Sequence, residues 1–185
     1  MSHFVVPNHI VVGKGVLNEA APLLKEMGRK AFIVTGRHIA VSDMMKKLTA
    51  LLDEEGIGYV IFNGITGEPD DVMINNGVKM LKESDCDFII GSGGGSPLDS
   101  AKAIAAMAVN DGSIADFSGK EITGEILPLA AIPTTAGTGS EATKFTVITD
   151  SKKQIKMLLK GDVLVPKLAI VDSEFTVDAP KSVTA

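Results

Sequence analysis

The sequence contains no tryptophan, a single tyrosine, Tyr59, and a single cysteine, Cys86. One thiol cannot build a disulfide framework or a zinc cluster. The expectation for Cys86 is an inert residue of a reducing compartment. Histidine is nearly as scarce: His3, His9 and His38 are the only three, and none follows residue 38. No run of ~18 apolar residues exists to cross a membrane. The opening MSHFVVPNHIVVG lacks the basic start and long apolar stretch of a secretory signal, so a cytoplasmic location is expected. There is no basic excess either. Eighteen Lys and Arg stand against 23 Asp and Glu, for a net charge of −5, which argues against a general nucleic-acid binder. What remains is a chain of 185 residues, 45% hydrophobic and 22% charged. That is too apolar for intrinsic disorder and about the length of one domain with a core of its own.

Three short apolar runs recur, Ala31 to Thr35, Tyr59 to Phe62 and Phe88 to Ile90. Uninterrupted Val, Ile and Phe of this length suit strands buried on both faces of a parallel sheet. Helical stripes lie between them. Met45, Leu48, Leu51 and Leu52 share one face, with Ser42 placed to cap and Gly56 placed to stop. Ile74, Gly77, Val78 and Leu81 form the next stripe, with Asp70 and Asp71 at the helix end that favours negative charge. The rhythm is that of repeated strand–helix–strand units. An alanine-rich helix is expected from Ser96 to about Val109. The loop NDGSIADFSG and an apolar run from Ile126 to Ile132 follow, with Pro128 suiting a strand's first residue. Beyond Phe145, two β-type segments flank TDSKKQ, and Leu168 to Val171 reads as a returning strand. The expected fold is therefore α/β, a Rossmann-like parallel sheet flanked by helices, with a β-hairpin extension near the C-terminus.

The segment IIGSGGGSPLDSAKAIA, residues 89–105, carries the sharpest chemical signal. A buried strand runs into Gly91, Gly93, Gly94 and Gly95, and a helix then begins. Ser96 is expected as the N-cap, Pro97 at the first helical position and Asp99 at the third. Glycine lets the backbone approach a phosphate, and a helix N-terminus offers unpaired N–H groups and partial positive charge. The usual G-x-G-x-x-G fingerprint is not met, because Ser96 stands where its last glycine would be.

A second segment, AIPTTAGTGSEAT, residues 131–143, crowds hydroxyls and glycines after a strand: Thr134, Thr135, Gly137, Thr138, Gly139, Ser140 and Thr143. At a strand's carboxyl end such groups can hold phosphate or ribose. At the end of the first run, where an acidic residue would hold a ribose 2′-OH, the sequence reads Gly36, Arg37, His38. Arginine without a carboxylate favours a 2′-phosphate, so NADP is expected over NAD. His38 is expected on the surface.

Together GGGSPLDSAKAIA and IPTTAGTGSEAT, with NDGSIADFSG, VITDSKKQIKM and LAIVDSEF, resemble the iron-containing, or group III, alcohol dehydrogenases. The resemblance covers the chain from about residue 5. It implies an N-terminal nucleotide-binding α/β domain, a C-terminal helical domain, and hydride transfer between an alcohol–carbonyl pair and NAD(P), with Fe2+ or another divalent metal polarising the substrate oxygen. By position it implies that Gly93, Gly94, Gly95 and Ser96 take the pyrophosphate and that Asp99 lies toward the nicotinamide. Thr134, Thr135 and Thr138 would line the adenine and ribose region, and Lys156 would approach the nicotinamide ribose; Thr143, from the same loop, is a further cofactor-binding candidate. The family's NAD users usually carry aspartate where this chain has Gly36, which again points to NADP.

The resemblance also implies a metal bound by one aspartate and three histidines on the helical domain, the first in a helix beginning after a segment such as APKSVTA. With no histidine after residue 38, and only Asp172 and Asp178 as scattered carboxylates, residues 1–185 are not expected to supply that site. The reading is thus a nucleotide-binding domain alone, a truncated chain inactive by itself, with self-association through an interdomain or edge surface. Two alternatives stand beside it. One is a non-catalytic nucleotide-binding or interaction module. The other is a relative of glycerol dehydrogenase or dehydroquinate synthase, whose second loop is usually less like PTTAGTGSE.

Overall fold

The apolar runs become a six-stranded sheet in a computed structural model that describes residues 4–177 and 179. Its strands are β1 (His9–Gly13), β2 (Lys30–Val34), β3 (Gly58–Phe62), β4 (Phe88–Gly93), β5 (Leu129–Pro133) and, after a separate hairpin, β8 (Leu168–Asp172). Spatial order is β1-β8-β5-β4-β2-β3, and every neighbouring pair is parallel. The α/β reading holds. β1 had gone unread because it is an edge strand: Ile10 and Val12 face solvent, so it shows no continuous buried run.

Parallel strands need crossovers, and helices supply them on both faces. Along β2, Ala31 and Ile33 face a layer containing α1 (Ala21–Met27) and α3 (Asp43–Glu54), with Leu24, Leu48 and Leu52 buried there. Phe32 and Val34 face the opposite layer, where α4 (Asp71–Lys82) and α5 (Gly95–Met107) contribute Ile74, Leu81 and Ile104. This is the period-two alternation of a strand dividing its side chains between two cores. Phe32 also stacks on Phe62, with ring centroids 5.9 Å apart. The expected Ser42 cap forms, Met45 N donating to Ser42 Oγ at 3.2 Å; Asp70, expected only as a favourable charge, is itself the N-cap of α4 and accepts Met73 N at Oδ1, 2.8 Å. A one-turn helix, α2 (Arg37–Ala40), fills the loop after β2.

The hairpin is an antiparallel pair, β6 (Phe145–Asp150) and β7 (Ile155–Lys160). It buries Ile148, Met157 and Leu159 in the core shared with α5. Pro69 O and the Asp71 carboxylate, at the start of α4, accept Thr149 N and Ser151 N at 2.8 Å, pinning its turn end. The expected start of α5 moves by two residues. Gly94 is the N-cap, with no side-chain cap bond, so Ser96 lies inside the first turn and Asp99 in the second. The strand before it runs on through the glycines to Gly93.

Candidate functional site

The chain leaves β2 toward β3 on one side and leaves β4 toward β5 on the other, while β2 and β4 are themselves adjacent. Such a reversal opens a crevice at the strands' carboxyl ends, where α/β sheets bind ligands. Gly36 closes β2 at this point, and Gly93, Gly94 and Gly95 close β4. Two of the glycines are required by the backbone and its packing. Gly93 has φ +141°, and a Cβ there would meet Pro97 Cγ at 2.8 Å. Gly91 sits one residue pair deeper, where its bare Cα lets α5 pack directly on the strand.

The second loop closes over the first. A Cβ on Gly94 would lie 3.4 Å from Thr135 Oγ1, and one on Gly95 would lie 3.2 Å from Thr138 Cγ2. Thr134 N donates to Gly93 O at 2.9 Å, which ties the two strand ends together. Thr134 is buried, Thr135 half-buried and Thr138 exposed. The first-turn amides of α5 have no intrahelical acceptors and open toward this seam. Beside it lies a groove of about 280 Å³ lined by Asp99, Thr138, Ser140, Thr143, Phe145, Val147 and Leu158. A larger hollow of about 450 Å³ lies elsewhere, but its Lys47 is already paired with Glu174 at 2.9 Å and no glycine cradle adjoins it.

Asp99 joins the groove to the hairpin. Its Oδ2 accepts Val147 N at 2.8 Å, and its backbone oxygen accepts Thr146 Oγ1 at 2.8 Å. Its buried Oδ1 makes no hydrogen bond within bonding distance, although the Ser140 hydroxyl stands near enough to pull the acid's pKa down a little. Burial outweighs that hydroxyl, the Val147 amide and the Lys102 charge, and leaves the carboxyl above its ordinary pKa. Glu141 Oε2 and Thr35 Oγ1 are also buried without a partner. An unsatisfied acceptor at such a place is ready for a ligand donor.

The fold thus brings together Gly93, Gly94, Gly95, Ser96, Asp99, Thr134, Thr135, Thr138 and Thr143. Gly36 lies next door, at the end of the adjacent strand. Arg37 is exposed at the first position of α2, and His38 is exposed as expected. Lys156 is exposed on β7, ion-paired with Glu68. It shares the outward hairpin face with Leu158 and, through its cross-strand partner Thr149, with Val147, so it lies along the groove's wall. Asp178 and most of APKSVTA lie outside the described residues, whereas Asp172 is buried and accepts the amides of Gly15 and Leu17. Sequence reasoning missed the apolar wall of Phe145, Val147 and Leu158. It also missed Lys102, a fully buried lysine within α5. Its only signal was a lone cation in an otherwise apolar AKAIAAMA stretch.

Comparison with known proteins places these features in context. The family description that matches residues 7–173 is iron-containing alcohol dehydrogenase. The chain is 37% identical over 186 residues to the NAD-dependent methanol dehydrogenase of Bacillus methanolicus, covering 100% of this chain and 49% of that protein. The crystal structure of a 1,3-propanediol oxidoreductase superposes with a TM-score of 0.96 at 30% identity, covering 100% of this chain and 49% of that one. Sulfoacetaldehyde reductase from Bifidobacterium kashiwanohense, solved in complex with NAD+, gives 0.91 at 32% identity, covering 99% and 49%. The chain spans about half the length of the curated relatives it matches.

Proposed function

The chain belongs to the iron-containing alcohol dehydrogenase family, and from that premise we propose that residues 1–185 form the nicotinamide-dinucleotide-binding domain of an alcohol-oxidising or carbonyl-reducing enzyme. The observation that carries this reading is the seam at the sheet's reversal point. The glycines opening α5 are held bare beneath Thr135 and Thr138, and two buried carboxylate oxygens, on Asp99 and Glu141, lie unsatisfied nearby.

Each residue then has a defined task. The first-turn amides of α5, from Gly94 to Ser96, receive the pyrophosphate, favoured by the helix dipole. Thr134, Thr135 and Thr138 flank the adenosine side. Asp99 and Thr143 face the groove toward the nicotinamide ribose, with Lys156 farther along the hairpin. Val147 and Leu158 offer an apolar wall that keeps water from one ring face. The bound dinucleotide supplies the hydride acceptor or donor. Among the described residues no cluster of three or more His, Cys, Asp or Glu could hold a metal ion. The described residues therefore do not fit the family's metal, and no step is assigned through one. No helix among them is long and apolar enough to cross a membrane.

NAD is the first ligand to try, since two of the relatives named above are NAD-dependent or NAD-bound, the methanol dehydrogenase and the sulfoacetaldehyde reductase. The expectation of NADP over NAD gains no support from them. Its remaining basis is the pairing of Gly36 with an exposed Arg37, which would admit a 2′-phosphate. Self-association belongs to the same proposal: the edge strand β1 exposes Ile10 and Val12. Light scattering that finds only a monomer would remove that part. Fluorescence titration with NADH and NADPH tests the main reading, and the expected result is saturable binding of at least one. No binding of either at millimolar concentration would overturn it.

A further inference from the structure

Lys102 is a long cationic side chain with no exposed surface, on the third turn of the helix that opens the candidate site. Its Nζ donates to Thr143 O at 2.6 Å, Thr143 Oγ1 at 3.1 Å and Phe145 O at 2.8 Å. All three acceptors belong to the short stretch that ends the second loop and begins β6. Three donors meet three acceptors, which is the full capacity of an ammonium group.

The placement has a mechanical consequence. Lys102 and Asp99 lie three residues apart on α5 and so share a face. Asp99 holds residues 146 and 147, while Lys102 holds 143 and 145. The stretch from Thr143 to Val147 is thereby fastened to α5 one to two helical turns from the glycine seam. This stretch supplies Thr143, Phe145 and Val147 to the groove and anchors the far end of the loop carrying Thr138 and Ser140. Resting on the dinucleotide reading above, we propose that the Lys102 ammonium is a positioning residue of the cofactor site, fixing the second loop against α5 so that both loops meet one ligand.

A purely space-filling role would ask for an apolar side chain, since an ammonium brought into the interior carries a desolvation penalty. The charged groups facing Lys102 are Asp99 on α5 and Glu141 on the Ser140–Ala142 turn, and β6 presents only the oxygens just named. Burial pulls the lysine pKa down from 10.5 to about 8 against the pull of those two carboxylates. A neutral amine has two donors for three acceptors, so the fastening loosens as the proton leaves.

The test is NADH titration of the 185-residue chain and of Lys102→Met from pH 7 to 9.5 at fixed ionic strength, with thermal melts to confirm folding. The expected wild-type Kd rises severalfold across that range. Lys102→Met is expected to stay folded, to bind about tenfold more weakly at pH 7, equivalent to ~1.4 kcal/mol, and to show a flat profile. A folded Lys102→Met that binds NADH as the wild type does would overturn the positioning role while leaving the dinucleotide reading intact. If that variant fails to fold, the wild-type profile decides: a flat one overturns the proposal and a rising one supports it. No NADH or NADPH binding by the wild-type chain would overturn the dinucleotide reading and this role with it.

Discussion

A Cβ built on Gly91 would lie 2.7 Å from the Cβ of Ala101, closer than real side chains approach. The strand that ends in the glycine seam and the helix that starts there are in backbone-level contact. This contact sets the height at which α5 presents its first turn over the sheet. Gly91→Ala is therefore expected to cost about 1–3 kcal/mol by overpacking. Chemical denaturation would show it as a lower midpoint, and an unchanged midpoint would mean that the contact relaxes without strain.

Gly95→Ala tests the seam itself. The added methyl would stand 3.2 Å from Thr138 Cγ2, a small steric demand with no forced backbone strain. Stability should fall by less than about 1 kcal/mol, whereas dinucleotide affinity should drop roughly tenfold or more as the phosphate approach is blocked. Equal affinities for variant and wild type, measured by NADH fluorescence, would remove Gly95 from the cradle.

At the proposed ribose end, Gly36 has ordinary extended geometry, so a side chain is conformationally allowed. Its Cβ would meet the Ile65 carbonyl oxygen at 3.2 Å, which asks the loop after β3 for a slight shift. Gly36→Asp should place a carboxylate where a 2′-phosphate would sit. NADPH affinity should fall about tenfold relative to NADH. An unchanged ratio would place the adenosine ribose elsewhere.

Asp172 closes β8 and is almost wholly buried. Its carboxylate accepts N–H groups from Gly15 at 2.8 Å, Leu17 at 3.2 Å and Glu174 at 3.0 Å. Asp172→Ala leaves these donors unpaired and should cost about 2–4 kcal/mol, with no change in cofactor affinity per folded molecule. The role is structural: this acid fastens the turn after β1 to β8.

Lys102 also sets a pH dependence of folding. Its folded pKa, about 8, lies below the ordinary 10.5 of the unfolded chain. Between those values the unfolded state binds the extra proton, so stability should rise with pH, by on the order of 2–3 kcal/mol. Below pH 8 the contribution is constant and at its least favourable. Denaturation of wild type and Lys102→Met at pH 7.5 and 10 isolates this term, and parallel pH slopes would refute it. Stability and affinity should thus move in opposite directions over the same range.

Much of the fold was legible because its signals are local. Ala31 to Thr35 reads as buried on two faces because it lacks a polar alternation, and it is fully buried; Tyr59 to Phe62 reads the same way but is half-buried except at Phe62, because β3 is the outer strand of the sheet. Ser42 could be read as a cap because a cap acts on an amide three residues away, and Asp70 as a charge suited to a helix start because the dipole acts over one turn. The glycine run and the threonine-rich loop were visible as chemistry for the same reason: glycine and hydroxyl groups leave little to the surroundings. The cap position of α5 was misread because Ser96 has the right side chain, while the helix in fact starts where the open backbone of Gly94 permits, two residues earlier.

The sequence by itself determined the kinds of element, their order, and the two loops that could hold a dinucleotide. Only the tertiary structure decided that β2 and β4 are neighbours, which places Gly36 beside the glycine seam although more than fifty residues separate them. It alone showed that Lys102 is buried on the carbonyls of Thr143 and Phe145, and that Asp99 serves both the hairpin and the groove. The reason is physical. Propensity and capping act over one or two turns of chain, whereas burial, desolvation and the pairing of a charge depend on what the fold packs against it from far away in sequence.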